Sequence, residues 1–451
     1  MSAWYEQSVF YHMYPLGMTG APRENHLDAG LPVCRFSQLD LWIPHIRDLN
    51  FNAVYIGPLF ESTSHGYDTR DYRKVDSRLG SNEDFCRFVS LCRQQGIRVV
   101  VDGVFNHTGR EFFAFQDIIR HKWDSPYKDW YRGVRFDCQS PMGDPFCYDA
   151  WQGHFELPCL NLQNPQVRDY LFQCVEFWIK EFDIDGIRLD CANVLDFGFM
   201  EELRQVTGRL KEDFWLMGEV IHGDYARWVN PRTLHSVTNY ELHKSIYSGF
   251  NDHNFFEIAH NVRRLEAIGR DLYTFVDNHD EDRIASKLKD EMHLAPVYMC
   301  LYTLPGIPSV YYGGEWAIQG RRTRTSDEAL RPAISPEQFE KLHCPLTGLI
   351  ARLGEIHRQE KAFCHGVYRE LYLTNRQYAY SRENGDSLVL TALNNDPGPA
   401  ALSIPLPPEI TRALPLLGEE GKPESMEPIA VENGRLNITL PGNWGSILKL
   451  V

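Results

Sequence analysis

The chain lacks any long apolar run. No stretch approaches the eighteen or so consecutive apolar residues that a membrane span needs. Its 451 residues are nonetheless 43% apolar and 13% aromatic, which is enough to build a sizeable core. At roughly 150 residues per domain, this length predicts two or three domains, or one barrel with additions. We therefore expect a globular protein that has no membrane partner.

Positive charge is also in short supply. The 46 Lys and Arg residues are outnumbered by 61 Asp and Glu residues, which gives a formal net charge of −15. Nucleic-acid phosphates are bound by basic surfaces, so this balance argues against a nucleic-acid partner. It is compatible with a neutral ligand.

Paired cysteine motifs are missing as well. The eleven cysteines are an odd number, are scattered from Cys34 to Cys364, and form no Cys-x-x-Cys pair. This pattern favours reduced thiols in the core over disulfides or a zinc site. The first residues lack the basic and then apolar segment of a secretory signal, so we expect a cytoplasmic protein.

What the sequence does contain is a repeated strand and helix pattern. Eight apolar segments, each followed by helix-like sequence, predict a TIM (β/α)8 barrel, a fold that carries its functional groups at the C-terminal ends of the strands. The predicted strands cover 9–15, 52–58, 98–104, 185–190, 214–220, 236–241, 272–280 and 307–313. The predicted helices cover 39–50, 82–95, 165–182, 197–210, 255–268, 292–304 and 346–358.

The repeat is interrupted once and then ends. Residues 107–161 show no strong helical period and are rich in aromatics, which predicts a subdomain inserted after strand three, and a polar loop at 61–72 is long enough to bind something. The barrel would then comprise 1–106 and 162–360. Short alternating strands separated by Asn-Gly turns predict an antiparallel β-sandwich domain over 361–451.

Three carboxylates stand at predicted strand ends. Asp190, Glu219 and Asp280 close strands four, five and seven, so they should converge on one cleft at the C-terminal face of the barrel. Such a cluster fits either a metal site or acid and nucleophile chemistry on an acetal. A hydrolase with two divalent metals would be expected to use more histidines, and only His107 and His279 stand at strand ends here.

The acetal interpretation gives each carboxylate a role. Cleavage of a glycosidic bond with retention needs one carboxylate nucleophile and one protonated carboxyl, about 5 to 5.5 Å apart. Arg188 would keep Asp190 ionised as the nucleophile, and the apolar sequence before Glu219 would help that residue to hold its proton. Asp280 would stabilise the positive charge that develops on the sugar ring.

Other side chains near the strand ends are candidates for binding the sugar. Histidines can donate hydrogen bonds to hydroxyl groups, and a tyrosine offers a flat face on which a pyranose can stack. The substrate-binding candidates are Tyr67, Asn106, His107, Arg188, His279 and Arg283.

Together these segments resemble the α-amylase family of glycoside hydrolases. Segments 102–107 (DGVFNH), 186–190 (GIRLD), 218–220 (GEV) and 278–280 (NHD) look like its four signature regions, in the right order. The resemblance implies Asp190 as nucleophile, Glu219 as general acid/base and Asp280 as transition-state stabiliser. It also implies that Tyr67, His107, Arg188 and His279 line the subsite of the sugar whose bond is broken.

The residues around the signatures refine this expectation. After the nucleophile the chain has Cys-Ala-Asn193, similar to neopullulanases and cyclomaltodextrinases. Because strand one is predicted to begin at about Val9, we do not expect the N-terminal module that is common in those enzymes. The resemblance implies no required cofactor. A structural calcium ion stays an open alternative, because Asn106 is present while Cys159 stands where calcium-dependent members usually have an aspartate ligand.

The expected substrate is a maltodextrin or related short α-glucan oligosaccharide with mainly α-1,4 bonds. Two alternatives remain at this stage. Transglycosylation would use the same covalent intermediate with a sugar hydroxyl in place of water, and a relative without catalytic activity would bind or scaffold glycans. The presence of all three carboxylates counts against the last of these.

Overall fold

A computed structural model describes residues 3–26, 34–417 and 427–451. Within that part of the chain, eight strands form one parallel sheet in the order β6-β5-β4-β3-β2-β1-β8-β7. A parallel pairing of Thr238 with Tyr273, beside β6 and β7, brings the two edges together, so the sheet closes into a TIM barrel. The strands are β1 (Phe10–Met13), β2 (Ala53–Ile56), β3 (Arg98–Gly103), β4 (Gly186–Leu189), β5 (Trp215–Gly218), β6 (Ser236–Val237), β7 (Tyr273–Phe275) and β8 (Ile307–Tyr311).

The barrel strands are short and buried on both faces. Val99, Val100 and Val101 of β3 are fully buried, as expected for parallel strands covered by helices. The register of the strands sets the height of the polar residues at their ends. Asp102 on β3 pairs with Arg188 on β4, so the residues just beyond β4 and β5 lie at one mouth of the barrel.

The helices agree best with prediction where the sequence has clear caps. Pro165–Phe182 matches its predicted bounds, with Pro165 in the first turn and the Asn164 side chain accepting a hydrogen bond from the Gln166 amide at 2.9 Å. The α-helices span Pro15–Met18, Phe36–Asp40, Trp42–Asp48, Asn82–Gln94, Phe113–His121, Pro165–Phe182, Phe197–Leu210, Tyr240–Asn251, Phe255–Arg264, Ile284–Lys287, Leu294–Thr303, Phe339–Leu342 and Pro345–Gln359.

Two segments differ from their predicted structure. The segment predicted to continue β6 as far as residue 241 instead begins the helix Tyr240–Asn251, because the Asn239 side chain accepts from the Leu242 amide and caps it. The polar loop at 61–72 is largely an antiparallel hairpin, formed by Phe60–Ser62 and Thr69–Val75.

The segment 107–161 folds beside β3 with little regular structure. It holds the helix Phe113–His121 and a hairpin of Ala150–Trp151 with His154–Pro158. It also corrects the expectation of reduced thiols in place of disulfides, because Cys138 and Cys147 form a disulfide. The Arg135 backbone pairs with Cys147, which brings the two thiols together although they are nine residues apart. The other nine cysteines are free.

The C-terminal region is antiparallel. Within the described residues its eight strands lie in the order β9-β10-β11-β16-β13-β14-β15-β12. The two ends of this sheet fold over each other around a separate apolar core, which includes Leu390, Leu402, Leu436 and Leu448, and so form a sandwich. The strands are β9 (Val367–Leu373), β10 (Gln377–Asn384), β11 (Ser387–Asn394), β12 (Ala400–Pro405), β13 (Arg412–Leu417), β14 (Ile429–Glu432), β15 (Arg435–Leu440) and β16 (Trp444–Leu450).

The sandwich packs on the barrel through buried polar contacts. The Tyr380 hydroxyl lies 2.6 Å from Thr303 Oγ1 at the end of a barrel helix. The fully buried Arg382 guanidinium donates to the carbonyls of Phe363, Thr303 and Gly366 at 3.1 to 3.2 Å. Among the helices of the described residues, none has the length and apolar character to span a bilayer.

Candidate active site

The three predicted carboxylates lie at the same mouth of the barrel. Asp190 follows β4, Glu219 follows β5 and Asp280 lies beyond β7, so each is positioned by the end of a buried strand. Asp190 and Glu219 are 6% and 8% exposed, whereas the Asp280 side chain is 36% exposed. The first two are therefore close to buried, and the third is open to a bound ligand.

The Arg188 guanidinium contacts three carboxylates, including two of the cluster. Its Nη1 atom donates to Asp190 Oδ1 and to Asp102 Oδ1, each at 2.9 Å, and its Nη2 atom lies 3.0 Å from Glu219 Oε2. The guanidinium is 3% exposed. Three buried carboxylates around one cation would be costly without such paired, directed contacts.

Asp190 and Glu219 face each other across a narrow gap. One carboxylate oxygen of each lies within 4.8 Å of the other, close to the separation of about 5 to 5.5 Å used for double displacement. Burial raises the pKa of Glu219 above its ordinary value, the Asp190 charge adds to this rise, and Arg188 opposes it. Glu219 is thereby suited to carry a proton beside an anionic Asp190.

Asp280 has a different electrostatic environment. Its Oδ1 atom accepts from Arg331 Nη2 at 2.9 Å, and its Oδ2 atom lies 3.1 Å from His279 Nε2. Partial burial disfavours its charge, but His279 and Arg331 outweigh that cost and lower the pKa of the Asp280 carboxyl. Asp280 is consequently a fixed anion, poised to face positive charge on a ligand.

His107 and Asn106 form a small unit at the end of β3. The Asn106 amide donates to Nδ1 of His107 at 3.2 Å, which places the ring proton on Nε2. Within the described residues Nε2 is buried without a hydrogen-bond partner. Burial lowers the pKa of His107 to about 3, so the ring is a neutral donor available to a ligand hydroxyl.

Tyr67 and His279 form a stacked pair near Asp280. Their rings are 5.7 Å apart and nearly parallel at 14°, and the Tyr67 hydroxyl lies 2.5 Å from His279 Nε2. Tyr14 stacks on His279 at 5.7 Å and 20°. The aromatic surface beside Asp280 is therefore made by several rings rather than by Tyr67 alone.

Arg283 lies apart from this group. Its side chain is fully buried, it donates to the carbonyls of Tyr312 and Leu330 at 2.6 and 2.7 Å, and it stacks over the Tyr311 ring at 4.0 Å. These contacts tie together backbone and rings behind the site. The structure does not bring Arg283 to a position from which it could touch a substrate.

Several residues of the site were not singled out from the sequence. Asp102 contacts Arg188, and Cys191 contacts Asp190. Asp102 lies within one signature segment and Cys191 directly follows another, so inspection of the positions in and next to these segments could have found both. Arg331 comes from the irregular chain after β8, where no sequence pattern points to it. The others are His12 and Tyr14 at the end of β1 and Tyr240, whose hydroxyl lies 3.4 Å from Glu219 Oε1.

Comparison with known proteins agrees with this geometry. The model of the α-amylase catalytic domain matches residues 41–342, which is more than half of the chain. The chain belongs to the α-amylase family. Its match includes all three carboxylates of the cluster, and the barrel and sandwich described above are the fold of this α-amylase-family protein.

Two curated relatives and one solved structure illustrate the likeness. A cyclomaltodextrinase from Thermoanaerobacter pseudethanolicus is 32% identical over 78% of this chain and 62% of its own length. The intracellular maltogenic amylase of Bacillus subtilis is 29% identical over 79% of this chain and 62% of its own length. A solved cyclomaltodextrinase has a TM-score of 0.87 at 26% identity and covers 99% of this chain and 78% of its own. The chain thus matches less than two thirds of these curated relatives.

Proposed function

We propose that this α-amylase-family protein is a retaining glycoside hydrolase that cleaves α-glucosidic bonds, mainly α-1,4, in maltodextrins or related short α-glucans. One observation carries the proposal. Asp190 and Glu219 approach within 4.8 Å on neighbouring strand ends and share one guanidinium, so an anionic and a protonated carboxyl can act on the same bond.

In the proposed first step, Asp190 attacks the anomeric carbon while Glu219 protonates the departing oxygen. The bond from the anomeric carbon to that oxygen breaks, and a covalent glycosyl ester forms on Asp190. Asp280 stabilises the positive charge that develops on the ring. In the second step Glu219, now ionised, removes a proton from water, which attacks the anomeric carbon and releases Asp190.

The remaining contacts of the site would bind the sugar. His107 would donate from Nε2 to a hydroxyl, and the stacked Tyr67 and His279 pair would support the pyranose face. Asn106 would act through His107, by fixing its tautomer. The names of the relatives, cyclomaltodextrinase and maltogenic amylase, support a short α-glucan as substrate.

Transglycosylation is the second candidate for the same site. The covalent intermediate would be identical, and a sugar hydroxyl would attack it instead of water. Product analysis at increasing maltose concentration separates the two, because transfer yields products longer than the substrate. A purely glycan-binding role is disfavoured by the raised pKa of Glu219, since binding a neutral sugar needs no proton donor.

We propose that the reaction needs no cofactor. The Asn106 amide faces His107, and Cys159 beside it is a buried thiol whose pKa is raised by burial, which makes it a poor calcium ligand. Activity that survives dialysis against EDTA would support this.

We also propose that the protein acts in the cytoplasm. The name of the Bacillus subtilis relative and the nine free cysteines support this location, whereas the Cys138–Cys147 disulfide counts against it. Fractionation of the native host tests it.

The decisive experiment uses Asp190→Asn and Glu219→Gln with maltotriose as substrate. Both variants should lose at least about a thousandfold in kcat while their thermal unfolding stays close to that of the parent protein. Proton NMR of the first product should show the α-anomer, because two inversions at the anomeric carbon give retention. Near-normal turnover in either variant, or a β-anomeric first product, would refute the proposed roles.

A further inference from the structure

Cys191 touches both proposed catalytic carboxylates. Its Sγ atom lies 3.1 Å from Asp190 Oδ2, and its backbone N–H donates to Glu219 Oε2 at 3.1 Å. The residue immediately follows Asp190 and is 7% exposed. One side chain and one amide of the same residue therefore span the gap between the nucleophile and the acid.

The backbone of Cys191 is held in an uncommon conformation. Its φ of 50° and ψ of 37° lie in the left-handed region, which is disfavoured for a residue with a Cβ atom. This conformation turns the amide toward Glu219 while the side chain returns toward Asp190. A strained residue at a reactive site indicates a demand on geometry that the surrounding structure satisfies.

The two oxygens of Asp190 are held by different donors. Oδ1 accepts from Arg188, so Oδ2 is left as the oxygen whose position the thiol can fix. Burial and the neighbouring charges of Asp190 and Glu219 raise the pKa of the Cys191 thiol well above its ordinary value. The thiol consequently stays protonated and donates its hydrogen.

We propose that Cys191 is a positioning residue that locks the rotation of the Asp190 carboxylate through its S–H group and aligns Glu219 through its amide. The proposal rests on the roles proposed above for Asp190 and Glu219. A thiol is a weak donor, so it orients the oxygen that attacks without strongly reducing its nucleophilicity. The alternative is that Cys191 only fills space between two strand ends.

The test compares Cys191→Ala with Cys191→Ser. Alanine removes the donor, whereas serine keeps a donor on Cβ by replacing the thiol with a hydroxyl group. Both variants preserve the backbone amide. We expect alanine to lower kcat about tenfold with KM changed less than about twofold, and serine to recover kcat to within about threefold of the parent. A thermal unfolding measurement on each variant establishes that it is folded.

A loss of kcat without a matching change in KM, with recovery by serine, is a readout that a space-filling role would not produce. The charged groups that face Asp190 are Arg188 on its own strand, Asp102 on β3 and Glu219 on β5, and both variants retain all of them. Any difference between them therefore comes from the donor: losing it should lower kcat while KM stays within about twofold of the parent, and serine should restore kcat.

The outcomes separate this inference from the proposed function. Loss of kcat at nearly unchanged KM in the alanine variant, with kcat restored by serine, supports the positioning role. An alanine variant with parental kcat, or a serine variant as impaired as alanine, overturns it. If the positioning role fails while Asp190→Asn and Glu219→Gln are inactive in the same assay, the failure concerns Cys191 alone and the proposed function stands. If they are active, the proposed function itself has failed.

Discussion

At the scale of single residues, function depends on how unlike charges are distributed around Arg188. Asp102, Asp190 and Glu219 all contact this guanidinium, yet the Asp102 side chain is fully enclosed while the other two are slightly exposed at the mouth of the barrel. Burial raises the pKa of both Asp102 and Glu219. One cation next to three acids cannot neutralise all of them, which leaves a proton for Glu219 to hold and donate.

The raised pKa of Glu219 predicts the basic limb of activity. A proton donor is active below its pKa, so kcat/KM should fall as pH rises through the pKa of Glu219, and that fall should lie above the ordinary glutamic acid value of 4.5. The measurement is kcat/KM for maltotriose at a series of pH values from about 4 to about 9, which spans the ordinary pKa of a glutamic acid side chain and the range above it. Loss of activity already near 4.5 would contradict the environment described for Glu219.

A matched substrate isolates this effect. An aryl α-maltoside with a dinitrophenolate leaving group needs no proton to depart, so its kcat/KM should show a much weaker basic limb in the same pH range. The Glu219→Gln variant should accordingly retain far more of its glycosylation rate with this substrate than with maltotriose. Equal losses with both substrates would show that Glu219 has another role.

The sequence placed the residues that occupy predicted strand ends and missed those that do not. Asp190, Glu219 and Asp280 could be predicted to converge because parallel strands point their C-terminal ends to one face. Arg331 lies 51 residues after Asp280 in chain without periodicity, so only the fold reveals their contact. Arg283 is near Asp280 in sequence, but its side chain turns behind β8 toward the Tyr312 and Leu330 carbonyls.

At the scale of elements, the hairpin after β2 brings Tyr67 to the site. Its turn includes Gly66, whose φ of +93° is in the region that favours glycine, directly before Tyr67. A Cβ atom at Gly66 would lie 2.6 Å from Cβ and Cγ of Pro58, so the turn also packs tightly on the chain leaving β2. The position of the Tyr67 ring therefore depends on a single residue without a side chain.

We predict that Gly66→Ala weakens both stability and catalysis. The strained φ alone should cost about 1–2 kcal/mol, and the clash with Pro58 should displace the turn and the Tyr67 ring. Because catalysis depends strongly on the position of the bound substrate, displacement of the Tyr67 ring should lower kcat/KM for maltotriose by roughly tenfold or more. Steady-state kinetics and thermal unfolding provide the two measurements.

Gly96→Ala is the matched control. Gly96 has a φ of +71°, but a Cβ atom there would meet nothing within 4 Å, and the residue follows the helix Asn82–Gln94 far from the carboxylates. It should show the loss of stability from strain with normal kcat/KM. If both variants had normal kcat/KM, the turn at Gly66 would not position the site.

Element predictions succeeded where local signals were strong. Pro165–Phe182 and Phe197–Leu210 have side-chain caps at Asn164 and Asp196 and clear apolar periodicity. The hairpin Phe60–Ser62 with Thr69–Val75 was predicted as a loop because its outer strand carries Arg70, Asp71, Arg73 and Lys74, which pair with Glu61 or face solvent. Its burial pattern follows from tertiary contacts that the local sequence does not encode.

At the scale of the whole molecule, barrel and sandwich share a buried polar interface. Arg382 on β10 is enclosed, and burial lowers the pKa of its guanidinium to about 10. It remains charged at neutral pH because three carbonyls, of Phe363, Thr303 and Gly366, accept its hydrogen bonds. In a strand of alternating polar and apolar residues, an arginine side chain is ordinarily expected to face solvent, so the local sequence does not indicate that Arg382 is buried.

This interface predicts that the two domains unfold together. Arg382→Met keeps much of the side-chain volume but leaves three buried carbonyls without their donor, so the free energy of unfolding should fall by about 2–4 kcal/mol. Calorimetry should show one transition in the parent protein, at a lower temperature in the variant.

Arg435→Met is the control, because Arg435 is exposed and its side chain donates to Ser403 of its own sandwich, and it should change stability by less than about 1 kcal/mol. Two separate transitions in the parent, with only one of them moved by Arg382→Met, would show instead that the sandwich is an independent unit and that Arg382 does not couple it to the barrel.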